Sequence, residues 1–377
     1  MAPSIAQAPA AKVIVPTKAA PGITETKARV RGIIDEEGGY TTASYPNYLP
    51  VFDYGEKYPP LEPFTHVEHR KDADPFFKNL LIEGSKIQKL TPTTGSEITG
   101  VQLSKPTAAG KDQLALLVAQ RKVVAFRDQD LADLPIREAL YFGGQFGRHH
   151  IYPTSGAPEG YSENHLVHRN NSAWELDEYL AEKNSSISWH SDVTYEQQPP
   201  GTTFLYILDS PEVGGDTAFV NQVEAYNRLS PALKERLHGL KAVNYGFDKV
   251  ELSLQRGGVD RREPVKNEHP LVGTHPVAGE KALFVNGGFT RSIVGLKKEE
   301  SDALLGFPLA HVGRGINYQA RIRWAPKTVD VWDNRVTAYS AIVDWTTGDR
   351  RHLARITPQA ERPYETPFIP EDGDTPA

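Results

Sequence analysis

Two side chains near the middle of the chain, His190 and Asp192, have the types and the spacing of a metal-binding pair. They lie in the run from Trp189 to Tyr195, whose last three residues favour a β-strand. Residues two apart on a strand project from the same face. A neutral imidazole nitrogen and a carboxylate oxygen that converge there form half of a site for Fe(II), Mn(II) or Zn(II). Because the pattern is short, a half-buried histidine beside a surface aspartate is the alternative interpretation.

The composition excludes several other kinds of chemistry. The 377 residues include no cysteine, which rules out disulfides, thiolate-bound zinc and a cysteine nucleophile. The net charge of -6 is spread along the chain and gives no basic surface for nucleic acid. No apolar run reaches the roughly 18 residues of a membrane span, and the N-terminus lacks the apolar region of a secretory signal. We therefore expect a cytoplasmic protein without nucleic-acid or membrane partners.

The sequence divides into an N-terminal arm and one large domain. Residues 1–75 are rich in proline, glycine, tyrosine and charge, which predicts an extended, partly disordered arm. Its aromatic residues indicate that part of it lies along the body or a partner subunit, so we expect a homo-oligomer. Within the domain, residues 76–377, the polar stretch 153–186 predicts a lid-like loop and the charged stretch 248–268 an insertion.

Hydrophobic periodicity places helices mainly in the first half of the domain and short strands in the second. Helices are predicted over 109–121 and 133–146, with a buried strand over 123–126 between them. Further along the chain, β-rich runs such as 204–208 and 350–357 follow one another closely. This order favours a mainly β fold, an antiparallel barrel or sandwich with helices packed outside.

Beyond the first pair, a series of motifs resembles the taurine dioxygenase family, whose members are Fe(II)- and 2-oxoglutarate-dependent dioxygenases. In chain order the motifs are Trp189–Tyr195, Gly215–Thr217, His269–Thr290, Val331–Arg335 and Arg350–Arg355. The resemblance covers about residues 86–360, and the long arm and the C-terminal motif are similar to the fungal branch. It implies a double-stranded β-helix, or jelly roll, with flanking helices, and it implies that His190 and Asp192 bind the metal.

The resemblance also implies roles for the other candidate residues. Fe(II) is held on one face by two histidines and a carboxylate, which leaves positions for 2-oxoglutarate and O2. The distal carboxylate of 2-oxoglutarate would pair with Arg351, because a planar guanidinium binds a carboxylate through two hydrogen bonds, and with the Thr217 hydroxyl. Arg355 matches the position that holds the anionic group of the substrate, and Tyr152 and Phe289 match other substrate contacts. Arg351 and Arg355 are four apart in a strand-like run and should share a face.

One position departs from the family pattern. The second metal-binding histidine is expected seven residues after Trp332, and that position is Tyr339. Three interpretations are open: a phenolate ligand, a bystander that leaves two protein ligands, or a substitution that disables or alters the enzyme. His352 does not replace the missing ligand, since its strand parity is opposite to that of Arg351. We therefore expect weak iron binding and weak turnover of 2-oxoglutarate.

The sequence thus predicts oxidation of an unactivated C–H bond in a small anionic molecule. A sulfonate such as taurine, or an amino acid or other carboxylate of a biosynthetic pathway, would suit Arg355 equally. Tyr152 stands where a substrate-binding histidine is expected, which weakens the taurine interpretation. The alternative from another class is a non-catalytic protein that binds an anion through Arg351 and Arg355. A zinc hydrolase would leave both arginines without a role.

Overall fold

Antiparallel strand pairing organises the chain. The computed structural model describes residues 29–31, 43–169, 184–345, 347 and 349–369. The α-helices are α1 (Ala108–Arg121), α2 (Ile136–Gly144), α3 (Gln222–Asn227), α4 (Pro231–Leu237), α5 (Phe247–Gln255) and α6 (Lys298–Arg314). The strands are β1 (Arg29–Arg31), β2 (Val51–Asp53), β3 (Lys86–Lys89), β4 (Ser96–Thr99), β5 (Val123–Phe126), β6 (Asn164–Arg169), β7 (Thr202–Asp209), β8 (Thr217–Asn221), β9 (Lys241–Tyr245), β10 (Lys266–Pro270), β11 (Val272–Thr274), β12 (Lys281–Leu283), β13 (Thr290–Ile293), β14 (Gln319–Ile322), β15 (Val329–Asp333), β16 (Thr337–Ala341) and β17 (Arg351–Ile356). No helix in the described ranges is long and apolar enough to cross a bilayer.

Two sheets pack against each other around a shared interior. The larger sheet has the strand order β3-β4-β5-β15-β7-β17-β6 and is antiparallel apart from the β4–β5 pair. The smaller sheet has the order β14-β8-β16 and is antiparallel. A buried apolar cluster joins them, and it includes Val123, Leu205, Phe219, Trp332 and Leu353. The prediction of a mainly β fold with flanking helices is confirmed, and the packing brings β8, β16 and β17 to one interior.

Strand β5 shows why short and wholly apolar runs form strands in this protein. Val123 and Ala125 join the cluster between the two sheets, whereas Val124 and Phe126 join the cluster that α1 and α2 cover. Because both faces of β5 are buried, both alternating sets of side chains are apolar. The predicted strand and the helix before it are confirmed to within one residue, and α2 is shorter than the predicted helix over 133–146.

The described part of the predicted arm packs on the domain. Tyr48 is fully buried, and its ring meets that of Tyr206 edge-to-face at 5.9 Å between centroids. The buried Arg70 guanidinium donates a hydrogen bond to Asp333 Oδ2 at 2.6 Å. Residues 1–28 and 32–42 lie outside the described ranges, and the domain boundary at residue 75 stays a prediction.

Two segments that the sequence predicts as a loop and an insertion contain regular structure. The predicted lid-like loop 153–186 includes β6, which pairs with β17 along its whole length. That part of the loop prediction was wrong, because the mostly polar sequence of β6 forms an edge strand of the larger sheet. Residues 170–183 lie outside the described ranges. The predicted insertion 248–268 holds most of α5 and the first residues of β10.

Asp330 in β15 is a buried carboxyl group that no described residue hydrogen-bonds. Its residue is 0% exposed, and neither carboxylate oxygen has a partner among the described residues. Burial raises the pKa of Asp330 well above its usual value. The folded state therefore keeps a proton that the unfolded chain releases above about pH 4, so this group lowers stability as pH rises from there toward its folded-state pKa.

We expect Asp330→Asn to remove this pH dependence. The free energy of unfolding of the variant, relative to the wild type, should grow by up to about 1.4 kcal/mol per pH unit above pH 4. Urea unfolding at a series of pH values measures the difference. The control is Glu263→Gln, which removes an exposed carboxylate and should leave the two curves parallel. Parallel curves for Asp330→Asn as well would contradict the prediction.

Candidate metal and 2-oxoglutarate site

His190 and Tyr339 face each other across an isolated β-bridge. The backbone N–H of each donates to the carbonyl of the other, at 3.0 Å from His190 and 2.8 Å from Tyr339. After His190 the chain turns, and Val193 has a φ of 37°. The prediction of a strand over this run was therefore wrong. The bridge to β16 fixes His190, and the turn that follows places Asp192.

In the imidazole ring of His190, Nδ1 carries the proton and Nε2 has a free lone pair. Nδ1 lies 2.8 Å from the Ser188 carbonyl oxygen, which can only accept, so Nδ1 carries the proton. Burial lowers the pKa of His190 to about 4, although Asp192 and the Ser188 carbonyl act in the opposite direction. The ring is therefore neutral at physiological pH, and the lone pair of Nε2 is available to a metal.

The two carboxylate oxygens of Asp192 have different surroundings. Oδ1 accepts hydrogen bonds from the Arg355 guanidinium at 2.5 Å, the Tyr339 hydroxyl at 2.7 Å and the Tyr152 hydroxyl at 3.0 Å. Oδ2 is buried and has no partner among the described residues. A buried carboxylate oxygen without a partner is energetically costly, so Oδ2 is the atom that a bound cation would satisfy.

Asn334 holds the turn that presents Asp192. Its side-chain oxygen accepts from the Asp192 backbone N–H at 3.0 Å and from Trp332 Nε1 at 3.1 Å. Its side-chain nitrogen donates to Thr203 Oγ1 at 2.5 Å and to the Gly201 carbonyl at 3.3 Å. All four residues are buried, so the amide is a rigid positioning group. The sequence motif around Trp332 contains Asn334, but its role becomes visible only through these contacts.

Tyr339 lies next to His190 and Asp192, and its side chain is a neutral phenol. Its hydroxyl donates to Asp192 and accepts from Arg355 Nη1 at 2.8 Å. Burial, and then the carboxylate of Asp192, hold the pKa of Tyr339 well above its usual value, although Arg355 acts against them. This arrangement favours a bystander or an altering substitution over a phenolate ligand.

Arg351 is a buried cation that lacks an acidic partner among the described residues. Its Nε donates to the Gly215 carbonyl at 2.7 Å, and its Nη2 donates to Thr217 Oγ1 at 3.4 Å. Burial, Arg169 and Arg355 lower the pKa of Arg351 to about 9, so the guanidinium still carries its charge at neutral pH. A buried charge without a counter-ion is unfavourable, and an anion that enters from outside would relieve it.

The turn before β8 is shaped to let Arg351 approach. Gly215 has a φ of 71°, and a Cβ atom there would lie 3.1 Å from Arg351 Cδ. Thr217 accepts a hydrogen bond from Trp324 Nε1 at 3.1 Å, which fixes its hydroxyl beside the guanidinium. The hydroxyl proton remains available for a ligand. The structure thus brings Thr217 and Arg351 together, as the sequence predicts.

The residues present fit a divalent metal at two of three protein positions. His190 Nε2 and Asp192 Oδ2 supply suitable atoms, whereas the phenol of Tyr339 is engaged as a donor to Asp192. Among the described residues, one other group of three ligand types, His66, Glu68 and Glu361, lies close enough together to bind a metal. There Arg335 Nη1 already donates to both carboxylates, at 2.8 and 3.1 Å. The pair of His190 and Asp192 is therefore the candidate metal centre.

Comparison with known proteins decides the family. Residues 86–357 match the model of the taurine catabolism dioxygenase TauD, TfdA family. The chain belongs to the TauD/TfdA family. It is 43% identical to an alpha-ketoglutarate-dependent sulfonate dioxygenase of Saccharomyces cerevisiae over 86% of this chain and 79% of the relative. It is 41% identical to the alpha-ketoglutarate-dependent dioxygenase cnsP of Penicillium expansum over 87% of this chain and 90% of the relative.

A solved structure agrees with this membership. A taurine dioxygenase from Burkholderia xenovorans superposes with a TM-score of 0.61 at 29% identity, covering 74% of this chain and 90% of the other. The resemblance to the TauD/TfdA family that the motifs indicate is confirmed. In the structure, as in the motif comparison, Tyr339 occupies the position where the distal histidine is expected.

One residue close to this site, His165, was not indicated by the sequence. Tyr152 stacks on His165 at 4.0 Å between ring centroids, and His165 lies on β6 opposite Arg355 on β17. Burial and Arg355 hold the pKa of His165 well below its usual value, so its ring is neutral. The Phe289 ring lies 6.4 Å from that of His190, and its contact with the substrate stays a prediction. Nothing in the mostly polar sequence of β6 singles out His165.

Arg355 joins the metal pair to the substrate side. Burial alone would lower its pKa, but Asp192, Tyr339 and Tyr152 raise it above the usual value. The guanidinium is therefore a permanent cation whose charge Asp192 balances. Arg355 contacts Asp192, and Arg351 lies four residues before Arg355 on β17, whereas the His352 ring has its Nε2 3.1 Å from the Tyr48 carbonyl oxygen.

Proposed function

We propose that this protein is a 2-oxoglutarate-dependent dioxygenase that oxidises a C–H bond of a small anionic molecule, with sulfonates as the first candidate class. One observation carries the proposal: Arg351 is a buried cation without an acidic partner among the described residues, and it lies on the same strand as Arg355, which contacts Asp192 of the metal pair. The carboxylate of a bound ligand would pair with the Arg351 guanidinium through two charge-assisted hydrogen bonds. The two facing sheets, in this proposal, form the family's double-stranded β-helix.

In this proposal, different residues of the chain have different roles. His190 and Asp192 would hold Fe(II), which with 2-oxoglutarate and O2 supplies the oxidising power. Arg351 and Thr217 would bind the distal carboxylate of 2-oxoglutarate and so set its orientation. The hydrogen bonds from Tyr152 and Arg355 keep Asp192 Oδ1 turned away from the metal position. Phe289 and Tyr195, 5.1 Å apart between ring centroids, would form an apolar wall against the substrate.

The test is oxygen uptake with added Fe(II), 2-oxoglutarate and a panel of alkylsulfonates and amino acids. We expect sulfonate-dependent oxygen uptake with formation of succinate and release of sulfite, because hydroxylation at the carbon next to sulfur breaks the C–S bond. The control is His190→Ala, which removes a metal ligand. Oxygen uptake equal to that of the control, with every substrate, would contradict the proposal.

A non-catalytic anion-binding protein remains the second candidate, because Tyr339 occupies the expected position of the distal histidine. This alternative predicts that 2-oxoglutarate binds with an affinity that depends on Arg351 while no oxygen is consumed. The cytoplasmic location and the homo-oligomer stay predictions of the sequence.

A further inference from the structure

Lys249 is a cation close to the site that neither the motifs nor the proposed roles use. It lies in the first turn of α5, and its Nζ is 6.0 Å from the centroid of the Phe289 ring. Phe289 in turn packs edge-on against His190. The ammonium group is thus separated from His190 of the metal pair by one aromatic ring.

Lys249 is exposed, yet charged groups of the site act on it. Desolvation by neighbouring protein, followed by the charge of Arg355, lowers the pKa of its ammonium group. The other charges that act on it are the carboxylate of Asp192 and the guanidinium of Arg256.

The charge of Lys249 is not balanced by the described residues. No ion pair or hydrogen bond joins its Nζ to another described residue, whereas Asp192 balances Arg355 at 2.5 Å. A cation in the first turn of a helix also opposes the helix dipole. Apart from the contact of its ammonium group with the Phe289 ring, Lys249 has no partner among the described residues that compensates its charge, and a ligand anion would supply one.

The backbone around Lys249 is held in place. The preceding Asp248 pairs with Arg291 at 2.9 Å, and Arg291 donates to the carbonyls of Gly287 and Gly288 at 3.2 and 2.8 Å. Phe247 stacks on Tyr245 at 4.7 Å between ring centroids. These contacts fasten the start of α5 to the segment that carries Phe289, so Lys249 stays beside this ring.

We propose that Lys249 selects the charge at the far end of the substrate, so that the preferred substrates carry a second anionic group and not an ammonium group. This inference rests on the proposed function, in which the substrate is a sulfonate, and Lys249 would meet its second anionic group. A zwitterion such as an aminosulfonate would place its ammonium group near Lys249 and be repelled. A sulfonate with a carboxylate at the other end would gain a charge-assisted hydrogen bond.

Three sulfonates of equal chain length test the inference: 3-sulfopropanoate, 1-propanesulfonate and 3-aminopropanesulfonate. Calorimetric titration of the protein, loaded with Mn(II) and 2-oxoglutarate, gives the three Kd values without turnover. We expect the affinity to fall in that order. Lys249→Gln should weaken binding of 3-sulfopropanoate by about tenfold, the value of one charge-assisted hydrogen bond, and strengthen that of the aminosulfonate. Lys249→Arg should retain the wild-type order.

The matched control is Lys266→Gln, which removes an exposed lysine of β10 and changes the net charge by the same amount. It should leave all three Kd values unchanged. Equal Kd values for wild type and Lys249→Gln, with both proteins folded by circular dichroism, would overturn the inference. Oxygen uptake with the same sulfonates distinguishes the two failures, because it tests the dioxygenase activity and does not depend on the order of the affinities.

Discussion

Tyr339→His is expected to raise both the affinity for Fe(II) and the turnover of 2-oxoglutarate by at least about tenfold. The wild-type hydroxyl donates to Asp192 Oδ1 at 2.7 Å, and burial holds its pKa well above the usual value. A phenol must lose its proton to become a strong ligand, whereas an imidazole binds a metal in its neutral form. The backbone bridge to His190 already holds residue 339 beside the metal pair.

Titration with Fe(II) under anaerobic conditions, followed by succinate formation in air, measures both effects. Tyr339→Phe is the control, since it removes the hydroxyl without adding a ligand, and it should bind iron as weakly as the wild type. An unchanged affinity and turnover in Tyr339→His would show that residue 339 does not reach the metal. A visible charge-transfer band in the wild type with Fe(III), lost in Tyr339→Phe, would establish a phenolate ligand instead.

Arg351→Met is expected to weaken 2-oxoglutarate binding by about 100-fold, because two charge-assisted hydrogen bonds to a buried carboxylate are lost. The same change should leave the free energy of unfolding of the ligand-free protein unaltered or higher. Arg351 is buried with no acidic partner among the described residues, and a methionine of similar length removes that unpaired charge. A loss of binding together with retained stability distinguishes a ligand-binding cation from a structural one.

Calorimetry with 2-oxoglutarate and urea unfolding of the ligand-free protein give the two quantities. The control is Arg323→Met, which removes an exposed arginine and should change neither 2-oxoglutarate binding nor stability by a comparable amount. An affinity for 2-oxoglutarate that Arg351→Met leaves within threefold of the wild type, threefold being about 0.6 kcal/mol, would place the carboxylate elsewhere.

The sequence by itself determined those secondary-structure elements whose side-chain periodicity is clear. It also determined the residues that belong to motifs. The wholly apolar β5 and the strand parity of β17 followed from side-chain periodicity, which depends on local chain geometry. Parity correctly placed Arg351 inside and His352 outside. The resemblance to the family, through its spacing from Trp332, indicated Tyr339 at the position of the distal histidine.

Only the tertiary structure decided how these side chains meet. The run around Asp192 is β-rich in composition, yet the chain turns there. The contacts that hold this turn come from Asn334 and from the bridge to β16, which are more than 100 positions away along the chain. The mostly polar sequence of β6 does not by itself predict a strand, and β6 is a strand because it pairs with β17. Lys249 reaches the site for the same reason: its helix is fastened through Arg291, and contacts between distant segments leave no periodic trace in the sequence.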